Sequence, residues 1–317
     1  MIAYVIRRLL LLVPVALFVS FITFMLIHLV PGDPARVLLG EDSTPEAVAA
    51  LHQQLGLDRP LYEQYALWLN QAIHGNLGQS IQLHQPVLEA ITQRLPVTVE
   101  LGVAALLFSL VLAVPLGMTA ATRRDSRLDW LLNVGSLLGT TIPPFVLGLL
   151  LILVFAVLLR MFPPGGYVPF TEDPLENLRD LILPMIALGS ASVAVNFRQV
   201  RSGMLDVLGQ DYIRTARAKG LSERRVNYRH ALPNALLPLL TLVGLQAGAI
   251  LAGAVVVETI FLWPGVGQLA VTSILSKDYP VVQGVVLLSA LSYILINLLV
   301  DLSYTFVDPR ITYGAQR

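Results

Sequence analysis

Apolar residues in this chain do not alternate with polar ones. They run for about twenty residues or more before a polar cluster interrupts them. The runs are Leu9–Val30, Val97–Ala121, Trp130–Leu159, Leu181–Val200, Ala235–Leu262 and Gly284–Phe306. A bilayer core is about 30 Å thick and a helix rises ~1.5 Å per residue, so each run is long enough to cross. The pattern therefore predicts an all-α integral membrane protein with six transmembrane helices. Arg7 and Arg8 precede the first run, but no small-residue cleavage site separates it from Pro31. It reads as a retained helix rather than a removed signal. In the third run, Pro143 and Pro144 take away two backbone donors and predict a kink or a split. Pro184 and Asn196 interrupt the fourth.

The polar segments set the orientation. Segments on the side of Arg7 and Arg8 hold fifteen of the 21 lysines and arginines, and those on the other side hold six. Positive loops face the cytoplasm, so both termini, the 122–129 turn and the 198–230 segment are expected inside. The outer 31–96 segment is too long for a turn. Thr44 can N-cap a helix with Pro45 at its first position, and Gly56 can end it. A second amphipathic run follows Asp58-Arg59-Pro60 and stops at His74-Gly75. Two short extracytoplasmic helices are expected, read either as a lid on the membrane face or as a docking surface for an extracytoplasmic partner. The domain division that follows is 1–93, 94–306 and a cytoplasmic tail, 307–317.

Composition sharpens this picture in only a few places. Hydrophobic residues make up 55% of the chain and charged residues 13%, as lipid burial requires. The formal charge is zero, so any electrostatic role comes from placement. There is no cysteine, which excludes disulfides and thiolate metal sites. His52, His74 and His84 lack carboxylates at ligand spacing and read as surface histidines, with no metal expected. Glu100, Glu258 and Asp301 fall in or near apolar runs. Glu100 is placed in a first helical turn, where the dipole favours an anion, and Asp301 one turn after Asn297. For all three, hydrogen bonding to neighbouring helices or water is weighed against a transported-ion site. Thr140, Thr141, Gln246 and Asn297 either line a polar translocation path or satisfy one another within the bundle.

No nucleotide-driven motor is encoded here. A P-loop needs Gly-Lys followed by Ser or Thr, whereas Lys219 precedes Gly220 and Lys277 precedes Asp278. An ion-coupled secondary carrier would show inverted repeats and broken, polar helices at the midplane, and a channel a repeated filter loop.

The cytoplasmic stretch YIRTARAKGLSERRVNYRHALPNALLP, Tyr212–Pro238, holds six basic residues against Glu223 as its one acid. Part of that charge anchors the chain to anionic lipid. Its order suggests more. Tyr212, Ala216 and Gly220 lie one turn apart, so a short helix would present small residues where another backbone can approach. Gly220 suits the end of that helix, and Ser222 the cap of the next. Pro233 and Pro238 mark the return into the membrane. This is a protein-docking pattern. Nucleic acid would call for aromatic interleaving or a known binding module, and neither is present.

The same stretch resembles the cytoplasmic signature of permease subunits of binding-protein-dependent ABC importers, in the dipeptide/oligopeptide/nickel branch. That signature is EAA, three residues, Gly, nine residues and an Ile-x-Leu-Pro-like ending. Arg214-Thr215-Ala216, Gly220 and His230-Ala231-Leu232-Pro233 stand at those positions, with Arg214 replacing the acid and Thr215 the first alanine. Further similar segments are RRLLLLVPV, LVPGDPA, QLGLDRPLYEQY, VVVETIFLWPGVG, DYPVVQG and NLLVDLSYTFVDPRI.

The resemblance implies a type I ABC importer permease fold in a prokaryotic inner membrane. It implies a second homologous permease, two cytoplasmic ATPases that carry ATP and Mg, and an extracytoplasmic solute-binding protein. The chain itself would bind no cofactor and would be a translocation subunit rather than an enzyme. Its signature loop would be a coupling helix resting in an ATPase cleft. Arg214, Thr215, Leu221, His230, Leu232 and Pro233 belong to the docking segment. Ala216 and Gly220 would allow close packing there, while Arg217, Lys219, Arg224 and Arg225 pair with the partner's rim. Di- or oligopeptides are the expected cargo; glutathione, nickel or other metal chelates and opine-like solutes use similar permeases.

Overall fold

The computed structural model describes residues 2–29, 44–46, 48–49, 52 and 58–307, with side chains described except at 2–11, 26–29, 249, 251–253 and 301–307. Among these residues the architecture is helical, and one isolated bridge, Gln79 to Pro86, is the sole β pairing. The helices are α1 (Ile2–Leu29), α2 (Leu61–Ile73), α3 (Val87–Thr122), α4 (Arg127–Thr141) and α5 (Pro144–Leu151), which continues as a π-helical stretch, Ile152–Leu158. Then follow α6 (Pro174–Leu208), α7 (Asp211–Ala218), α8 (Glu223–Ala235), α9 (Leu237–Ile260), α10 (Val266–Leu275) and α11 (Tyr279–Val307).

Three helices are long and apolar enough to cross a membrane unaided, α3, α6 and α11, the last over Tyr279–Val300. Two bent pairs add to them, α4 with α5–Leu158 and α8 with the first half of α9, so the described residues support up to five crossings. The described apolar part of α1 is Leu12–Met25.

The proline effects are local and legible. A residue before proline is driven to extended backbone. Ile142 and Pro143 accordingly have ψ of 118° and 142°. Pro144 then opens α5 at a position where its missing N–H costs nothing. The result is a 102° bend between α4 and α5, so the expected kink is a full break. Pro184 behaves differently. It lies buried inside α6, which runs unbroken for 35 residues. Asp173 caps that helix by accepting from the N–H groups of Leu175 and Glu176 at 3.0 and 3.1 Å. Helix α3 starts at Val87, ten residues before its apolar run, so Glu100 lies several turns inside it and not in its first turn.

The chain packs as two compact units. One comprises residues 1–96 and 268–295. Here α2 lies against α1 through Tyr65, whose ring meets Phe21 and Phe24 edge-on at 5.5 and 5.6 Å. Its hydroxyl shares a 2.8 Å hydrogen bond with Ser20. Helix α2 ends at His74 with Gly75 at φ +82°, as the sequence pattern requires. Of the preceding short helix only Thr44, Pro45, Glu46, Val48, Ala49 and His52 are described, all helical except Thr44; Gly56 lies outside the described residues. The buried Asp278 carboxylate accepts from the Ser80 hydroxyl at 2.5 Å and from the N–H groups of Ile81 and Gln82 at 3.2 and 3.1 Å, closing the 76–86 loop.

The other unit comprises residues 97–267 and 296–317. Leu101 and Ala105 of α3, Leu183 and Ala187 of α6, Val257 of α9 and Phe261 just past its end form a buried core. Helices α3 and α6 touch backbone to backbone. A Cβ on Gly189 would stand 2.8 Å from the Ala105 carbonyl oxygen, so only glycine allows this approach.

Candidate functional site

The basic stretch folds into α7, a tight turn and α8, all within the second unit. Ile213, Ala216, Val226, Ala231 and Ala235 are buried with Met118, Val200 and Met204, which fastens the loop to the C-terminal ends of α3 and α6. Gly203 lets α8 approach α6, since a Cβ there would meet the Ala235 carbonyl oxygen at 2.7 Å. The Asn234 amide donates to the Tyr212 hydroxyl at 3.1 Å and ties α8 back to α7.

Gly220 is the conformational key. Its φ is +79°, in the left-handed region that favours glycine. Its N–H donates to the Arg217 carbonyl at 2.9 Å, and the next N–H, of Leu221, reaches the Ala216 carbonyl at 3.4 Å. This pair of bonds is the Schellman ending of a helix, completed by Leu221 packing on the buried cluster. No atom lies within 4 Å of a Cβ built on Gly220. The glycine is needed for backbone shape, and the space in front of it is open.

One expectation is corrected here. Ala216 is only 7% exposed and packs into its own subunit, so Tyr212, Ala216 and Gly220 do not form an exposed small-residue face. The turn of α7 that carries Ile213 and Ala216 is apolar and faces inward for that reason. The outward face carries Tyr212, Arg214, Thr215, Arg217 and Lys219. Arg217 is held within the loop, donating to both oxygens of Glu223 at 2.8 and 3.2 Å. Arg214 pairs with Asp211 at 3.2 Å, and the Thr215 hydroxyl donates to the Asp211 carbonyl. Lys219, Arg224 and Arg225 are exposed and form no ion pair among the described residues. Ser222 precedes α8 without a side-chain cap. His230 and Leu232 are half-buried and Pro233 exposed. Val226–Ala231 winds as a π-helix just before Pro233, whose ring and missing N–H disrupt ordinary helical bonding there.

The polar residues proposed for a path are not equivalent. Thr140 and Thr141 are exposed, and both hydroxyls donate to the Leu137 carbonyl, at 2.9 and 2.8 Å. Asn297 is half-buried. Gln246 keeps a buried Oε1 with no hydrogen-bond partner among the described residues. The Asp301 side chain lies outside the described residues.

A second polar cluster sits where α3, the α5–α6 loop and the end of α9 meet. Glu258 is fully buried, and the Thr98 hydroxyl donates to it at 2.7 Å while accepting from the Val266 N–H at 2.8 Å. Gly265 and Gly267 pack on the Glu258 carboxylate, leaving no room for a Cβ. Glu100 accepts from the Tyr167 hydroxyl at 3.0 Å and the Asn177 amide at 2.8 Å. Tyr167 packs edge-on against Trp263 at 4.7 Å, and the Trp263 indole donates to the Val97 carbonyl at 3.0 Å. Burial, together with the Glu100 carboxylate, pushes the Tyr167 phenol up to about 12. Both carboxylates are thus hydrogen-bonded parts of the helix packing. Sequence reading passed over Thr98, Tyr167, Asn177 and Trp263. The signal was the WPGVG segment, whose two glycines both pack on Glu258, but Thr98, Tyr167 and Asn177 lie far from that segment in the chain.

Among the described residues no three His, Asp or Glu side chains cluster in a way that could hold a metal. His74 uses its Nδ1 on the Asn70 carbonyl at 2.7 Å.

Comparison with known proteins shows the family of the chain. Residues 113–313 match the family described as binding-protein-dependent transport system inner membrane component. Residues 1–102 match the N-terminal region of membrane components of such systems. The chain is 42% identical to a dipeptide transport system permease protein of Alkalihalophilus pseudofirmus over 333 residues, covering 99% of this chain and all of the relative. It is 41% identical to the dipeptide transport system permease protein of Escherichia coli K12 over 337 residues, covering 99% of each. In fold it is similar to a chain of the MetNI methionine ABC transporter in an inward-facing conformation, with a TM-score of 0.55 at 16% identity, over 68% of this chain and 95% of that one.

Proposed function

This chain belongs to the binding-protein-dependent transport system inner membrane components, and from that membership we propose that it carries di- or oligopeptides into the cytoplasm as one half of a paired conduit. As an ABC importer permease it is a translocation subunit of the inner membrane. The names of the dipeptide permeases it matches along almost its whole length are the observation that carries the peptide assignment.

In this reading a second homologous permease completes the pore, two cytoplasmic ATPases hold ATP and Mg, and an extracytoplasmic binding protein delivers the solute. The chain itself binds no cofactor. Six crossings leave both termini in the cytoplasm, in keeping with the fifteen-to-six distribution of basic residues. The α7–α8 loop docks in an ATPase cleft through its exposed Arg214, Thr215, Lys219, Arg224, Arg225 and Pro233. Its inner face, Ile213 and Ala216 on the ends of α3 and α6, passes motion of the ATPase pair to the membrane helices. Gln246, whose buried oxygen has no partner among the described residues, is the strongest of the path residues, since a polar solute or water satisfies it.

Reconstitution of the chain with its permease, ATPase and binding-protein partners tests this. ATP-dependent accumulation of a labelled dipeptide is expected. Accumulation by the chain alone under a proton gradient would replace the proposal with a secondary carrier.

A further inference from the structure

We propose that the groove between α3, α4 and α6 is a binding site for one anionic phospholipid, with an acyl chain in the groove and the phosphate on Arg127 and Arg198. The groove encloses about 300 Å³. Leu112 and Leu116 of α3 form one wall, Leu131, Gly135 and Gly139 of α4 a second, and Ser190 and Ala194 of α6 the third. It opens toward the apolar surroundings, for Leu131 is 58% exposed and no atom lies within 4 Å of a Cβ built on Gly135.

The lining makes no polar demand. The Ser136 and Ser190 hydroxyls donate to the Asn133 and Ala187 carbonyls of their own helices, at 2.9 and 3.2 Å. A hydrocarbon chain satisfies such a slot. Its length suits one leaflet: from Leu131 to Gly139 α4 rises ~12 Å, against roughly 15 Å for half a bilayer core.

The mouth is charged by the same helical register. On α4, Leu131, Gly135 and Gly139 repeat every four residues, and one turn earlier in that stripe stands Arg127. On α6, Ser190 and Ala194 repeat likewise, and one turn later stands Arg198. The two helix ends are joined at this level, because Arg201 donates to both Asp129 oxygens at 2.7 Å each. Arg127 and Arg198, unlike Arg201, have no ion-pair partner among the described residues. Trp130, 66% exposed and three residues from Arg127, is the side chain expected at headgroup depth. Arginine pairs bidentately with phosphate, and a long side chain near a helix end reaches the interface. An apolar helix from another subunit would leave these two guanidinium groups unmatched.

The test uses the whole transporter, purified in mild detergent and incubated with phosphatidylglycerol or phosphatidylcholine, with bound lipid counted by native mass spectrometry. One phosphatidylglycerol per copy of this chain is expected to be retained, at least tenfold more tightly than phosphatidylcholine. Gly135→Leu fills open space, so folding is preserved and retention of both lipids is lost. Arg127→Gln with Arg198→Gln erases the preference for the anionic lipid. Equal retention of the two lipids by the unaltered protein overturns the proposal, as does retention unchanged by Gly135→Leu. Disulfide capture of Gly135→Cys by a cysteine on the second permease overturns it too, by placing a helix in the groove.

Discussion

The hydroxyl of Thr98 stands 2.7 Å from the carboxylate of Glu258, two buried groups 160 positions apart in the chain. Through its second bond, from the Val266 N–H, Thr98 joins α3, the end of α9 and the start of α10. Thr98→Val removes a hydrogen bond from each of two buried groups at nearly constant volume. The Val266 N–H loses its acceptor, so at about 1–3 kcal/mol for a buried group left unsatisfied a loss of that order is expected, read as a lower midpoint of thermal unfolding in detergent. Thr98→Ser, which keeps the hydroxyl, is expected to stay close to the unaltered protein. Equal midpoints for the valine and serine variants would contradict the assignment.

Tyr167 should remain a phenol far into the alkaline range. Its folded pKa of about 12 exceeds the ordinary value of 10.0 because burial and the Glu100 carboxylate oppose the phenolate. Above pH 10 the unfolded chain releases this proton while the folded one retains it, so raising the pH favours unfolding. The stability tied to Tyr167 is therefore complete below about pH 10 and falls as pH approaches 12. Tyr167→Phe removes this component of the alkaline decline; unfolding followed between pH 8 and 11 in both proteins checks it.

Gly220 separates backbone shape from contact. A β-branched side chain at φ +79° is strained by about 1–2 kcal/mol, although open space surrounds the position. Asparagine tolerates that backbone far better. Gly220→Val is thus expected to uncouple ATP hydrolysis from transport while leaving membrane insertion intact, and Gly220→Asn to retain most coupling. If the two variants behave alike, steric contact with the ATPase outweighs loop shape.

Exposed cations on the loop fall into two groups. Arg214 and Arg217 are paired within the chain, whereas Arg224 and Arg225 form no ion pair among the described residues. Neutralising Arg224 and Arg225 together is expected to weaken ATPase association about tenfold at low salt, with the difference shrinking above ~0.5 M as screening sets in. Arg214→Gln should have the smaller effect. Co-purification of the ATPase across a salt series measures both.

Topology is open to direct labelling because the chain has no cysteine of its own. A single cysteine at the exposed Gln71 is expected to react with an impermeant maleimide in intact cells, and one at the exposed Arg124 only after permeabilisation. Reaction at Arg124 in intact cells would reverse the proposed orientation.

Much of this protein is legible without coordinates. Apolar run length marks helices because lipid offers the backbone no hydrogen bonds, and each crossing segment must satisfy its own. Pro143-Pro144 marks the break between α4 and α5, and His74-Gly75 the end of α2, since these effects act on neighbouring dihedral angles. Gly220 is legible for the same reason. Pro184 was not, because packing on both sides of α6 decides whether a proline interrupts a helix. The start of α3 at Val87 was hidden by the polar residues of its first turns, which carry no lipid signal.

Local chemistry determined which residues turn the chain, end a helix or carry charge. Tertiary structure alone decided which way each faces. Ala216 and Gly220 are both small and one turn apart, yet one is buried on Met204 and its neighbours and the other stands open. Glu258 finds Thr98, and Arg201 finds Asp129, across intervals of 160 and 72 residues. No periodicity spans such intervals. A buried charge takes its partner from whichever helix the packing brings within about 3 Å, and that choice belongs to the fold as a whole.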